Sequence, residues 1–241
     1  AQRYGFSLVE DAAHSPGAWS ENRGTREQSG ACRHTQAAIL SFHPVKHICC
    51  GEGGAVLTND EELADRIVHL RSHGITRSNE HGGARPWFYE QTELGWNYRL
   101  TDIQSALGIS QLARLDQFLV RRRVLATRYQ DSLSTSPFSD IFSLPLAHSG
   151  HAWHLYVIRF HETGQRDKAH LFLKEHGIHT QIHYVPIYRH PYYERRFGKI
   201  RLPGAETFYE SCLSIPLFPK MTDFEQDRVI ETLADYAEQA T

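Results

Sequence analysis

No apolar run in this sequence approaches the ~20 residues that a membrane-spanning helix needs; the longest, such as Ala37 to Leu40 and Ala55 to Leu57, are a few residues each. Charge of one sign is lacking too. With 26 Lys and Arg against 28 Asp and Glu, and a formal net charge of −2, a broad basic field for nucleic acid or an anionic membrane is excluded. Any anionic ligand must be held by a local site. Cysteine is scarce: Cys32, Cys49, Cys50 and Cys212 are spaced neither as a secreted disulfide framework nor as paired zinc knuckles. A reducing cytoplasm is the expected setting. Internal repeats and low-complexity tracts are missing, as is a basic-then-apolar leader ahead of Ala1, so the opening reads as the inside of a longer protein.

What is there is an ordinary globular balance: 241 residues, 40% hydrophobic, 22% charged and 11% aromatic, enough to bury a core in two domains. Phe6 to Val9 reads as a short strand followed by Glu10-Asp11, then a loop with Ser15-Pro16-Gly17 and Glu21 to Gly30. Ala37 to Phe42 is a second strand, ending at His43. After Pro44 to Glu52, Gly53-Gly54 leads into a third, Ala55 to Thr58. A helix is expected from Asn59, capped through Glu62 and closed by Gly74. Residues 75 to 98 read as irregular, with Gly82-Gly83, Pro86 and the aromatics Trp87, Phe88, Tyr89, Trp96 and Tyr98, a set that usually covers something. A long helix with a Thr101–Gln104 capping box is expected to reach about Tyr129, with Gly108 as the place for a bend. Beyond the irregular Ser132 to Gly150 come a strand, Leu155 to Phe160, a helix, Arg166 to Gly177, and a strand, Ile178 to Val185. A polar, aromatic loop holding Pro186, Pro191, Tyr192 and Tyr193 precedes a last amphipathic helix from Thr222 to Gln239, with Phe224, Val229, Leu233 and Tyr236 toward a core. The class is α/β.

The most informative window is Ser41-Phe42-His43-Pro44-Val45-Lys46 followed by Gly51-Glu52-Gly53-Gly54. A lysine just past a strand end is held near the sheet rather than waving from a helix, and desolvation there can free its amine to form a Schiff base with a carbonyl. Pyridoxal phosphate chemistry also needs an acid on the ring nitrogen. Asp11, at the end of the first strand, is the candidate.

Val9-Glu10-Asp11-Ala12-Ala13-His14, the Ser41 to Lys46 block with Gly51 to Thr58, and Gly95-Trp96-Asn97-Tyr98-Arg99-Leu100-Thr101-Asp102 together resemble the sugar aminotransferases of the DegT/DnrJ/EryC1/StrS family. Gln181-Ile182-His183-Tyr184-Val185-Pro186-Ile187-Tyr188 is most similar to the branch that aminates a UDP-linked 4-keto-6-deoxy-N-acetylhexosamine on the way to pseudaminic acid. The resemblance implies fold type I of the pyridoxal phosphate transferases, with residues 1–118 as the C-terminal part of the large cofactor domain and 119–241 as the small α/β domain. It implies a homodimer with Lys46 as the internal aldimine and proton shuttle, Asp11 on the pyridine nitrogen, His14 near the cofactor ring or its oxygen, and Ser41 on the phosphate. Asn97 would reach the phosphate of the neighbouring subunit's cofactor, and His183 would face the sugar. Glutamate would be the amino donor and a nucleotide-linked keto sugar the acceptor.

Two departures stand out. Cys49-Cys50 replaces the family's usual Thr-Thr beside the Lys46 loop, exchanging good hydrogen-bond donors for weak ones; both are expected as free thiols, because a vicinal disulfide is strained. Relatives also carry well over a hundred residues ahead of the Asp11 strand, including the phosphate loop and a ring-stacking aromatic. That gap supports a rival reading, a catalytically incompetent binding or dimerising module. A sugar dehydratase of the same fold is disfavoured by Lys46, since those relatives carry histidine there. The spacings His148-x2-His151-x2-His154 and His69-x3-His73 raise a metal site, but without an H-E-x-x-H pattern none is expected. Arg121-Arg122-Arg123 reads as a solvated helix face.

Overall fold

The computed structural model describes residues 1–77, 85 and 87–240. They divide into two compact units, Ala1–Asp116 and Gln117–Thr241. Gly82, Gly83 and Pro86 lie outside the described residues.

The first unit is built on a three-stranded sheet of β1 (Val9–Asp11), β4 (Ala37–Ser41) and β5 (Gly54–Leu57). β4 lies between the other two, parallel to β1 and antiparallel to β5, and the register sets Asp11 opposite Ile39 and Ile39 opposite Val56. Because side chains alternate along a strand, Asp11, Ile39, Ser41 and Val56 share one face. Glu10, Ala38 and Leu57 share the other, where Ala12, Cys32 and Ala38 form a small buried cluster with Leu40 and Leu57 against it. The first strand forms three residues later than its apolar run suggests. Phe6 and Leu8 are exposed, so pairing to β4, and not hydrophobicity, sets its bounds.

Residues 19–28, expected as loop, form a hairpin of β2 (Trp19–Asn22) and β3 (Thr25–Gln28). Its two-residue turn is Arg23-Gly24, with φ of 51° and 77°, the positive values that suit the twist of paired strands. The Glu10 carboxylate ties this hairpin to the sheet, accepting from the Ser29 hydroxyl at 2.5 Å and from the Gly30 N–H at 3.1 Å.

The next helix, α1 (Glu61–Arg71), is capped by Asp60, whose Oδ1 accepts from the Leu63 N–H at 3.0 Å. Asn59, the expected cap, instead donates to the carbonyls of Ala31 and Cys32. Two short strands follow, β6 (Ile75–Thr76) and β7 (Glu90–Gln91). The long helix is broken not at Gly108 but at Ala113-Arg114, giving α2 (Asp102–Leu112) and α3 (Leu115–Leu133). The Thr101–Gln104 capping box opens α2 as its spacing requires.

The second unit sets α3 and five further helices around an antiparallel sheet of β8 (Phe142–Ser143), β9 (Tyr156–Phe160) and β10 (Cys212–Ile215), with β9 in the middle. The helices are α4 (Phe138–Ile141), α5 (Gln165–Glu175), α6 (Pro191–Phe197) and α7 (Pro203–Ser211); α8 (Asp223–Ala240) closes the chain. Its core joins Leu125, Tyr129, Phe142, Tyr156, Ile158, Leu213 and Leu233. The expected strand from Ile178 to Val185 is reduced to one bridge, Gln181 with Ser214, because Ile178 spends its N–H on the Leu173 carbonyl to end α5. The loop around Tyr192 and Tyr193 is the helix α6, which Pro191 starts at a position where its missing N–H costs nothing. The last helix forms where expected, with the Thr222 hydroxyl accepting from the Glu225 N–H at its start, but Phe224 is 78% exposed rather than in the core.

Arg122 overturns the solvated-face reading. It is buried, on the inward side of α3 with Leu119, Leu125 and Ala126, and its Nη1 donates to the carbonyls of Trp153, His154 and Leu217. Burial pulls its pKa down to about 10.

Candidate active site

Asp11 and Ser41 end adjacent parallel strands, so the backbone delivers a carboxylate and a hydroxyl to one end of the sheet on one face. Asp11 Oδ1 accepts from the Ala13 N–H at 3.0 Å, and the Ala12 N–H continues the ladder to the Ile39 carbonyl. The Ser41 hydroxyl accepts from the His43 N–H at 3.4 Å.

The segment between β4 and β5 is folded back on itself. The Phe42 N–H donates to Gly53 O, the Cys50 N–H to Phe42 O and the Lys46 N–H to His43 O, all at 2.9–3.0 Å. His47, Ile48 and Cys50 are buried, while Lys46 just before them is half-buried. Desolvation lowers the Lys46 pKa, and the field of Asp11, the nearby charge acting on it, opposes that shift. An amine eased toward its neutral form and a carboxylate near enough to act on it are the two groups that a carbonyl cofactor with a basic ring nitrogen requires. The donor set of Lys46, Asp11 and Ser41 therefore fits pyridoxal phosphate.

His14 is exposed three residues beyond Asp11. Asn97 stands elsewhere, at an antiparallel bridge with Ser72 past the end of α1. The chain there lies against the helix end through Trp96 N–H to Leu70 O and Tyr98 N–H to Arg71 O. Gly95 makes this approach possible, because a β-carbon on it would fall 2.5 Å from the Leu70 carbonyl oxygen. Asn97 is exposed. His183 belongs to the second unit, where its Nδ1 lies 2.8 Å from the hydroxyl of Ser214.

Beside β4 and β5 runs an open, mainly apolar groove of ≈ 730 Å³, bounded by Ile39, Val56, Ile67, Arg71, Tyr98 and Leu100. Sequence reasoning missed this groove, because no motif marks a face whose walls come from four separate segments. It missed as well that α2 reaches the Lys46 segment, with Gln104 Nε2 donating to the Glu52 carbonyl at 3.2 Å.

The histidine spacings serve turns. His148 Nδ1 accepts from the Gly150 N–H and His151 Nδ1 from the Trp153 N–H, while His69 pairs with Glu93 at 3.1 Å. Among the described residues no group of three or more His, Cys, Asp or Glu is placed to hold a metal ion, and no helix is long and apolar enough to cross a membrane. All four cysteines are free thiols.

Solved structures with the same fold are numerous. Helicobacter pylori PseC, an aminotransferase involved in the biosynthesis of pseudoaminic acid, matches 99% of this chain at 30% identity and a TM-score of 0.87. A putative sugar aminotransferase from Streptococcus pneumoniae in its PMP form matches 98% at 27% identity and 0.87. DesV from S. venezuelae, in complex with a ketimine intermediate, matches 99% at 35% identity and 0.82. The chain spans 61%, 60% and 60% of those three proteins. The model of the DegT/DnrJ/EryC1/StrS aminotransferase family matches residues 1–234, and the chain belongs to that family.

Proposed function

We propose that this chain carries the lysine site of a pyridoxal phosphate-dependent aminotransferase that moves an amino group from glutamate to a nucleotide-linked 4-keto-6-deoxy sugar, with UDP as the nucleotide. The observation that carries the reading is Lys46 on the folded segment after β4, partly desolvated and within the field of Asp11. The three similar structures, two described as aminotransferases and one in complex with a ketimine intermediate, support it.

When bound, pyridoxal phosphate supplies an electron-withdrawing ring that lets an amino group and a proton change carbons. Lys46 would tether it and carry the proton between donor and acceptor carbons. The Asp11 carboxylate would hold the ring nitrogen protonated, His14 would lie near the ring, and Ser41 would donate to the phosphate. In a homodimer, Asn97 would extend to the phosphate held by the other subunit, and His183 would face the sugar. Residues 1–118 would form part of the cofactor domain and 119–241 the small domain.

The test is to incubate the chain with pyridoxal phosphate, reduce with borohydride and map the modified peptide. Label on the Lys46 peptide that disappears in Lys46→Ala supports the reading; label spread evenly over other lysines, or none, overturns it. A second reading is favoured by the 60% span: a module that binds but does not turn over. Labelled Lys46 without amination of UDP-linked keto sugars by glutamate would select it.

A further inference from the structure

We propose that Gly108 and Gln104 of α2 are positioning residues for Lys46, with the helix acting as a fixed backing against which the Lys46 segment is set. The proposal builds on the reading of Lys46 as the reactive amine, but its contacts and its test involve no cofactor.

Three contacts join the two elements. Gln104 Nε2 donates to the backbone carbonyl of Glu52 at 3.2 Å. Leu100, just ahead of the helix, fills the space over Gly53: a β-carbon there would lie 2.7 Å from Leu100 Cδ2. A β-carbon on Gly108 would lie 2.6 Å from Cys50 Sγ, well inside van der Waals contact. Cys50 is buried, and its N–H holds the Phe42 carbonyl at the base of the segment. The helix can seat at this depth only because residue 108 has no side chain. Lys46 lies four residues before Cys50 on the same closed loop, so a displacement of the sulfur is passed to it through packed backbone.

The contact is close to a one-for-one exchange of volume. Among the described residues, no atom other than Cys50 Sγ is found within 4 Å of the Gly108 β-position, its two chain neighbours and the helix's own backbone aside. Removing the sulfur therefore leaves room for the methyl group that Gly108→Ala adds. Gln104→Glu separates the other link: a carboxylate still accepts from the Thr101 N–H in the capping box, but it has no N–H for Glu52.

The experiment is competitive acylation of cofactor-free protein with acetic anhydride near neutral pH, read at the Lys46 peptide by mass spectrometry, alongside urea unfolding. Gly108→Ala is expected to lower Lys46 reactivity about threefold or more, as a less desolvated amine holds its proton more tightly. The pair Gly108→Ala with Cys50→Ala is expected to return within about twofold of the parent. Gln104→Glu is expected to move in the same direction as Gly108→Ala with its helix intact. Unchanged Lys46 reactivity in Gly108→Ala, or a double variant as altered as the single one, overturns the proposal. Failure of borohydride labelling in the unaltered chain would instead count against the aminotransferase reading alone.

Discussion

Arg122 Nη1 donates to the carbonyl oxygen of Leu217 at 3.1 Å, a bond that spans 95 positions and lies out of water. The same nitrogen serves Trp153 and His154, so one cation gathers three backbone carbonyls. Arg122→Met keeps the length and apolar stem but removes that donor from all three. The expected loss is about 2–4 kcal/mol, read as a lower urea midpoint. A variant within error of the parent would mean that water replaces the guanidinium.

Acid sensitivity should localise in part to the start of α8. The Glu225 carboxylate is held below its ordinary value of 4.5, first by the Thr222 N–H and then by the Thr222 hydroxyl. A depressed acid contributes stability that is complete above its unfolded value and is lost as pH falls through its folded one. Glu225→Gln retains the acceptor but cannot titrate. Urea midpoints measured between about pH 2 and pH 6 should fall more steeply with acid in the parent than in this variant; parallel curves would show that the cap does not sense pH.

The turn of the first hairpin offers a gain. Arg23 sits at φ 51° ahead of Gly24 at 77°, a conformation that asparagine tolerates better than arginine. Arg23→Asn should stabilise the protein by roughly 0.5–1 kcal/mol, visible as a raised urea midpoint. Gly24→Val should lower it. No change in either would indicate that the hairpin opens before the unit unfolds.

The parts of this fold that could be read from sequence are those specified locally. Asp11 falls at a strand end, Lys46 in a closed segment after a strand, and the Thr101–Gln104 pair at a helix start, because each pattern is completed within a few residues. What escaped was set at long range. Asn59 gave up the cap because the Ala31 and Cys32 carbonyls claimed its amide, and Arg122 looked solvated until three remote carbonyls met it. Gln104 could be read as half of a capping box but not as a donor to Glu52, and Gly108 as the place for a bend but not as the gap that admits the Cys50 sulfur. A glycine in a helix is unremarkable until the sulfur it makes room for is located.

Glu10 and Asp11 put two consecutive carboxylates on opposite sides of a three-residue strand. Glu10 is anchored by the Ser29 hydroxyl and Gly30 amide, and Asp11 is left for the lysine. A slip of β1 by one residue would exchange them, presenting a longer acid at the site and an unpartnered shorter one beneath the sheet. The turn after the hairpin, which holds Glu10 through Ser29 and Gly30, is thus an indexing device: a structure on the far face of the sheet selects which of two neighbouring acids lies toward Lys46.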